Sequence, residues 1–316
     1  MGRLIGWRIV QGVVTLFAIS LILFILTLNL QGNAADAVLG QAATAETKAA
    51  FERSIGLDVP AWQRYLTWLW NIVAHFDFGR SYTNQNVIVN DLWPRFTNTL
   101  FLACYAAVIA VPLAVITGIT CAITEGRLAD RAANVLALIA ISLPEFFIGG
   151  VLILLFAGYW RWFPPLATVN PDMGFFIRLY VTFLPAVALT CLVTAHMMRM
   201  TRNSVLSIMS TPYVEMGFLK GLTRARVVTK HALPNAASPI ISVVALNIAY
   251  LVVGVVVIEK VFTYPGVGQY MIDAVTKRDV PAILACGILF AAVFIILNTI
   301  ADVLAIILNP RLRHPR

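Results

Sequence analysis

Residues 96–124 run for 29 positions without a charged side chain. About 20 predominantly apolar residues already make a helix long enough to cross the hydrocarbon of a bilayer, so this run reads as a membrane span. It is one of several. Ile9–Leu28 is also uncharged, and further apolar runs cover about 134–160, 179–198, 239–258 and 282–304. The 134–160 run is interrupted by Pro144 and Glu145, the next contains Pro185, and the last carries Asp302 near its end. In lipid every backbone polar group must be satisfied within the protein, which leaves only helices and closed barrels. These runs are far too long for barrel strands. The reading is an all-α integral membrane protein with six transmembrane helices.

Composition closes off the alternatives. The chain is 60% hydrophobic and 12% charged, with a mean hydropathy of +0.84. A soluble chain carries about 25% charged residues. Half that supply cannot coat a globule of 316 residues, so a soluble enzyme and a disordered chain are both excluded. The net charge of +8 would suggest nucleic acid in a soluble protein. Here it reads as basic loops held on one side of a membrane, and no nucleic acid is expected.

Six spans put both termini on one side. Arg3, Arg8, Arg311, Arg313 and Arg316 flank the ends, Arg127 and Arg131 follow the second span, and Arg199, Arg202, Lys220, Arg224, Arg226 and Lys230 follow the fourth. These thirteen cations share one side, against five in the short opposite loops (Arg161, Arg178, Lys260, Lys277, Arg278). Both termini are therefore expected in the cytoplasm, with 29–95 outside. The organisation reads as 1–28 for the N-terminus and first span, 29–95 for the external segment, 96–308 for the transmembrane core and 309–316 for a cytoplasmic tail. Arg3, Arg8 and the sequence Ala35-Asp36-Ala37 resemble a signal peptide with a weak cleavage site. The apolar stretch outruns the roughly 7–15 residues of a signal core, so the reading is an uncleaved anchor.

Two stretches of the external segment look helical, Thr44–Ile55 and Ala61–Phe76, the second introduced by Pro60. Trp62, Tyr65, Trp68, Leu69 and Ile72 form an apolar stripe on it. The stripe suits packing on neighbouring loops or the membrane surface, or a docking surface at the outer mouth. Cys104, Cys121, Cys191 and Cys286 all sit in apolar runs and read as small core residues. His75, His196, His231 and His314 are scattered, and no metal site is expected.

The longest cytoplasmic loop, 200–236, begins MTRNSVLSIMSTPYVEMGFLKGLTRARVVTKHALPN. Thr211 and Pro212 supply a start signal, cap then proline, and Gly221 a stop. The expectation is a short amphipathic helix over Tyr213–Leu219 with basic flanks. Such a helix suits a groove in a partner or an anionic lipid surface equally well.

Further motifs resolve this. Glu215-Met216-Gly217, then Gly221 six residues on from Glu215, then Leu233-Pro234 twelve further, resemble the E-A-A, G, L-P pattern of ABC importer permeases. Ile55-Gly56-Leu57-Asp58 with Pro60, Asp77-Phe78-Gly79 with Ser81, Ser142-Leu143-Pro144, Glu259-Lys260-Val261-Phe262 with Pro265-Gly266-Val267-Gly268, Arg278-Asp279 and Asn309-Pro310-Arg311 are similar to the B-type permease of the oligopeptide/dipeptide branch. Met216 and Gly217 replace two alanines, His231 stands for an aliphatic residue, Phe76 for a glycine, and 29–35 (NLQGNAA) lacks the family's proline-containing stretch.

The resemblance implies a type I ABC importer permease fold in a bacterial inner membrane, and a chain that performs no chemistry. It implies a second homologous permease, two cytoplasmic ATP-binding subunits and a periplasmic or lipid-anchored solute-binding protein, with membrane lipid around them. No cofactor is expected on this chain. It has no G-x-x-x-x-G-K-[ST] phosphate loop, so ATP is used by its partners. The resemblance also implies a coupling helix carrying Tyr213, Glu215 and Gly217. Glu215 would make a charge-assisted contact or cap the turn, Gly221 would reverse the chain, and Leu233-Pro234 would end the linking segment and aim the fifth span.

Ionisable groups within spans are candidate pathway residues. Glu145 reads as facing the solute or as structural. Asn247, Tyr250 and Gly254 share one face of the fifth span, toward the pathway or toward packed neighbours. His196 and Arg199 are expected to snorkel, Asp302 to pair with a neighbouring helix, and Glu259 and Lys260 to be interfacial. The expected function is half of a translocation pathway for peptides or peptide-like solutes. The alternatives are a self-contained secondary carrier or channel, disfavoured by the missing internal repeat, and an intramembrane enzyme, for which the spans hold no Ser/His or paired-Asp arrangement.

Overall fold

The computed structural model describes residues 2–28, 44–56 and 58–308. The sequences 29–43 and 309–316, including the candidate cleavage site and Asn309-Pro310-Arg311, lie outside them. Among the described residues the regular elements are helices, joined by turns and irregular loops, with one isolated bridge between Arg80 and Val87. In chain order the helices are α1 (Gly2–Leu28), α2 (Ala45–Ser54), α3 (Ala61–His75), α4 (Ile88–Ile123), α5 (Leu128–Ser142), α6 (Glu145–Leu152, continued by a π-helical stretch Ile153–Tyr159) and α7 (Phe175–Val181). They continue with α8 (Phe183–Met209), α9 (Pro212–Leu219), α10 (Arg224–Val227, continued by a π-helical stretch Val228–Ala232), α11 (Leu233–Val261), α12 (Val267–Lys277) and α13 (Val280–Leu308).

Five of these stretches are long and apolar enough to cross a membrane, and the bent pair α5–α6 makes six if taken as one crossing. That pair corrects the sequence reading. The 134–160 run is not one kinked helix: its halves meet at 103°. A residue before proline is pushed out of the helical region. Leu143 accordingly takes ψ 135° and Pro144 takes ψ 142°, so two successive extended residues turn the chain.

The other spans are longer than their apolar runs. Helix α4 starts eight residues early, at Ile88, and its 36 residues extend about 54 Å. Its first turns carry Asp91 and Arg95, which a hydropathy window rejects. Helix α8 runs on to Met209, so Arg199 and Arg202 belong to a helix rather than to the expected loop. Most of 200–236 is helical in the same way.

The core forms where α4 and α8 pack together. Lipid offers no hydrophobic drive between helices, so close approach of small residues matters most. Ala106, Ala110, Ala114, Gly118 and Ala122 recur every four residues along α4 and are buried. A Cβ on Gly118 would lie 2.8 Å from the Met198 carbonyl oxygen and 2.8 Å from Thr201 Cβ. Helix α11 packs on both α8 and α13, and α1 lies against α13. There Arg8 and Asp302 pair at 3.0 Å, which is the neighbouring-helix partner expected for Asp302. Cys121 and Cys286 are buried, whereas Cys104 is exposed on the outside of the bundle, contrary to its reading as a core residue. It lies on a helix whose outer face meets lipid, where a small apolar residue carries no penalty.

Candidate functional site

Three regions gather the residues that the sequence singled out. The first surrounds α9. Its start is set by backbone bonds from Val214 and Glu215 to the Thr211 carbonyl at 2.9 and 3.1 Å. The Thr211 hydroxyl does not cap the helix: it donates back to the Ile208 carbonyl of the preceding helix at 2.7 Å. Gly221 ends the segment at φ +76°, a left-handed conformation that glycine reaches without strain. The helix is not amphipathic as expected. Val214 and Gly217 are buried, Gly217 against Val227, while Tyr213, Met216 and Leu219 are exposed on the other side at 63%, 52% and 75%. Apolar side chains thus occupy both faces. The Glu215 side chain stands exposed in the first turn and makes neither hydrogen bond nor ion pair among the described residues, so it caps no turn here. The Tyr213 hydroxyl lies 3.3 Å from His231 Nδ1.

This segment is fastened to the bundle by charge. Arg224 pairs with Glu125 and donates to the Ala122 carbonyl at the end of α4 at 3.3 Å. Beside it, Arg202 of α8 holds Asp130 of α5 through two hydrogen bonds of 2.6 and 2.8 Å. The same carboxylate accepts from the Gly126 N–H at 3.0 Å and from Asn134 at 2.8 Å, which ties down the α4–α5 turn. Sequence reasoning assigned neither pair, because their partners lie 99 and 72 positions apart. Leu233 packs with Ala122, Val205 and Val228. Leu233 and Pro234 open α11 rather than close the preceding segment. Proline lacks the N–H that would bond back one turn, and the chain just upstream is wound as the wider π-helical stretch.

The second region is a cavity of about 470 Å³ between α6, α8 and α11. Glu145, Asn247, Tyr250 and Gly254, separated by up to 109 positions, all line it. His196, expected to snorkel, lines it too, and the remaining wall is aliphatic, including Leu189, Leu192 and Leu246. The 103° bend brings Glu145 there: the break makes it the first residue of α6, where the positive end of the helix dipole favours a carboxylate. No cation pairs with Glu145 among the described residues. Asn247 is buried and donates to the Val243 carbonyl at 2.8 Å, while Tyr250 is exposed and stacks edge-on to Phe294 at 5.9 Å.

The third region lies at the far end of α11 and corrects the reading of Glu259 as interfacial. Its side chain is completely buried. It accepts from the Thr99 hydroxyl at 2.6 Å and from the Gly268 and Gln269 N–H groups at 2.7 and 3.2 Å. These two N–H groups belong to the open first turn of α12, so the carboxylate caps that helix and pins it to α4 and α11. Gly266 is a glycine for this reason, since a Cβ there would run into the Glu259 carboxylate, while a Cβ on Gly268 would lie 2.5 Å from the Val256 Cα and 2.9 Å from Glu259 Oε2. Lys260 is exposed and pairs with Asp273 at 2.9 Å. Nearby, Asp279 accepts from Ser81, the Tyr82 N–H and Thr83, and the Tyr264 hydroxyl donates to the Asn98 carbonyl at 2.7 Å. Burial pushes the Tyr264 phenol up to about 12, so it remains a donor.

Residues 110–314 match the family described as the binding-protein-dependent transport system inner membrane component, and residues 1–103 match the corresponding N-terminal model. The chain belongs to that family. The dipeptide transport system permease protein DppB of Escherichia coli (strain K12) is 31% identical over 326 residues, covering 96% of each chain. The glutathione transport system permease protein GsiC of the same strain is 33% identical over 307 residues, covering 97% of each. GsiC of Shigella dysenteriae serotype 1 is equally similar. The ABC importer resemblance thus holds along the whole chain. The permease is a multi-pass inner-membrane transport subunit rather than an enzyme, of a kind that works with ATPase and solute-binding partners. A self-contained carrier is not favoured.

Proposed function

We propose that this permease forms half of the translocation pathway of an importer for peptides or peptide-like solutes. A second homologous permease supplies the other half, two ATP-binding subunits power it, and a periplasmic or lipid-anchored binding protein delivers the solute. Both termini and α9 face the cytoplasm, and the segment 29–95 faces the periplasm. The observation that carries this reading is end-to-end similarity to a dipeptide permease and a glutathione permease.

Helix α9 is the coupling helix. Tyr213, Met216 and Leu219 offer an apolar edge to a cleft in the ATPase, and the unpaired Glu215 offers a charge-assisted contact beside it. Gly217 lets α9 sit close to Val227, Gly221 reverses the chain, and Leu233-Pro234 direct the motion into α11. The cavity lined by Glu145, Asn247 and Tyr250 belongs to the pathway, with Glu145 facing the cationic terminus of a peptide.

Uptake of a radiolabelled dipeptide and of glutathione by a strain lacking this gene tests the proposal. Uptake of at least one should fall and return with the intact gene. With Glu215→Ala or Gly221→Pro it should stay low, although the variant still inserts into the membrane. Unchanged uptake of both solutes in the deletion strain refutes the solute class. Normal solute-stimulated ATPase activity in both variants refutes the role of α9.

A further inference from the structure

Helix α3 carries more apolar surface than its packing uses. One arc of it, Tyr65, Trp68 and Leu69, packs on Leu23 and Phe24 of α1 and on Val280 and Leu284 of α13. The Tyr65 hydroxyl bonds Ser20 at 2.8 Å, and the Tyr65 ring lies 5.2 Å from that of Phe24. The adjacent arc is apolar as well, and nothing among the described residues covers it. Trp62, Leu66, Trp70 and Val73 are 67%, 54%, 66% and 69% exposed. At about 100° per residue these four fall within an arc of roughly 80°. Gln63, Thr67, Asn71 and Arg64 occupy the rest of the circumference. Only Trp62 of this second arc was counted in the stripe read from the sequence, and it does not pack with Tyr65.

The height of α3 says what covers the exposed arc. Its anchors on α1 lie four to eight residues before that helix ends at Leu28, or about 6–12 Å along its axis. Its anchors on α13 are the first residue of that helix and one a turn further. This is the depth at which an amphipathic helix lies in a bilayer surface, about 5–10 Å into the boundary between headgroups and acyl chains. The uncovered arc also continues an apolar surface, since Phe17, Leu21 and Leu28 of α1 are exposed on the outside of the bundle. Tryptophan favours this level because its ring has an apolar body and a polar N–H.

We infer that α3 is an interfacial helix, with Trp62, Leu66, Trp70 and Val73 immersed in the lipid leaflet on the side of the 29–95 segment and its polar arc in water. It braces α1 against α13 from the membrane surface. The partner is the phospholipid itself, so this face does not dock the solute-binding protein.

Tryptophan quenching tests this in the intact chain, reconstituted in vesicles of phosphatidylcholine and phosphatidylglycerol. The chain has seven tryptophans. The double variant Trp62→Phe/Trp70→Phe keeps the apolar arc and removes two emitters. With phosphatidylcholine brominated at the upper acyl chain, the emission lost in the variant should be the lipid-quenched part. It should also be quenched by aqueous iodide much less than free tryptophan, as expected of rings at that depth. Lost emission that iodide quenches freely and brominated lipid spares overturns the inference. So does lost emission that becomes shielded from iodide only when the solute-binding protein is added.

Discussion

Replacing Glu259 by alanine isolates a tertiary constraint that joins three helices. The carboxylate receives three hydrogen bonds, from Thr99, Gly268 and Gln269, inside a fully buried site. Alanine leaves two backbone N–H groups of α12 without an acceptor, and a buried orphaned donor costs about 1–3 kcal/mol. The Thr99 hydroxyl also loses its acceptor, though it still receives the Val267 N–H at 2.9 Å. The expected loss is about 3–5 kcal/mol. Lys260 next to it is a control, because its pair with Asp273 is exposed on both sides and such pairs contribute about 0–1 kcal/mol. Thermal unfolding of the purified chain in detergent, at a fixed scan rate, reads both. At about 2–4 °C per kcal/mol, Glu259→Ala should lower the midpoint by roughly 6–20 °C and Lys260→Ala by no more than about 4 °C. Gly266→Ala supplies the decisive comparison. Its added Cβ clashes first with the carboxylate, since its three nearest atoms all belong to Glu259. Removing that carboxylate should therefore relieve it, and the double variant should be more stable than the two single losses add up to, by about 1–3 kcal/mol. Additive losses, or equal shifts for Glu259→Ala and Lys260→Ala, would refute the idea that this carboxylate joins α4, α11 and α12.

Three other outcomes follow from the geometry. Gly118→Leu should separate α4 from α8, lowering the yield of folded chain on gel filtration, whereas Gly150→Leu, which has open space around it, should not. Arg202→Met leaves Asp130 without its bidentate partner and should cost about 3–5 kcal/mol in the same unfolding assay, while Asp130→Asn/Arg202→Met should recover part of the loss. Tyr264 is protonated more firmly in the folded chain than in the unfolded one, so its contribution is complete below about pH 10 and fades as the pH rises toward about 12. Between those values Tyr264→Phe should show a shallower fall in unfolding midpoint than the parent chain.

The segment around α9 shows how far local sequence carried. Thr211-Pro212 and Gly221 bounded a two-turn helix, and a helix over Pro212–Leu219 is there. The capping role assigned to Thr211 failed because the end of α8 offers its hydroxyl a nearer carbonyl, that of Ile208. Glu145, Asn247 and Tyr250 were chosen one at a time, as polar groups in apolar runs or as one face of a helix. That they line one cavity depends on a 103° bend whose cause, Ser142-Leu143-Pro144, was legible but whose size was not. The four-residue recurrence of small residues from Ala106 to Ala122 was also legible and marks the α4–α8 contact. Hydropathy alone passes over it, because alanine and glycine add little to such a sum.

What the sequence determined by itself is what depends on near neighbours along the chain. Membrane solvent, helix type and the approximate places of the apolar spans follow from composition and runs, and the family from the resemblance of its motifs, since each is a property of a few to a few tens of consecutive residues. Only the tertiary structure decided which polar groups meet. Glu259 beside Lys260 looked like a pair of interfacial charges, and one is buried while the other is in the open. The difference comes from Thr99, 160 positions away, and from the folding of α12 back over the end of α11. A carboxylate in a membrane protein is costly unless donors are aimed at it, and the chain supplies those donors only when distant helices close around it.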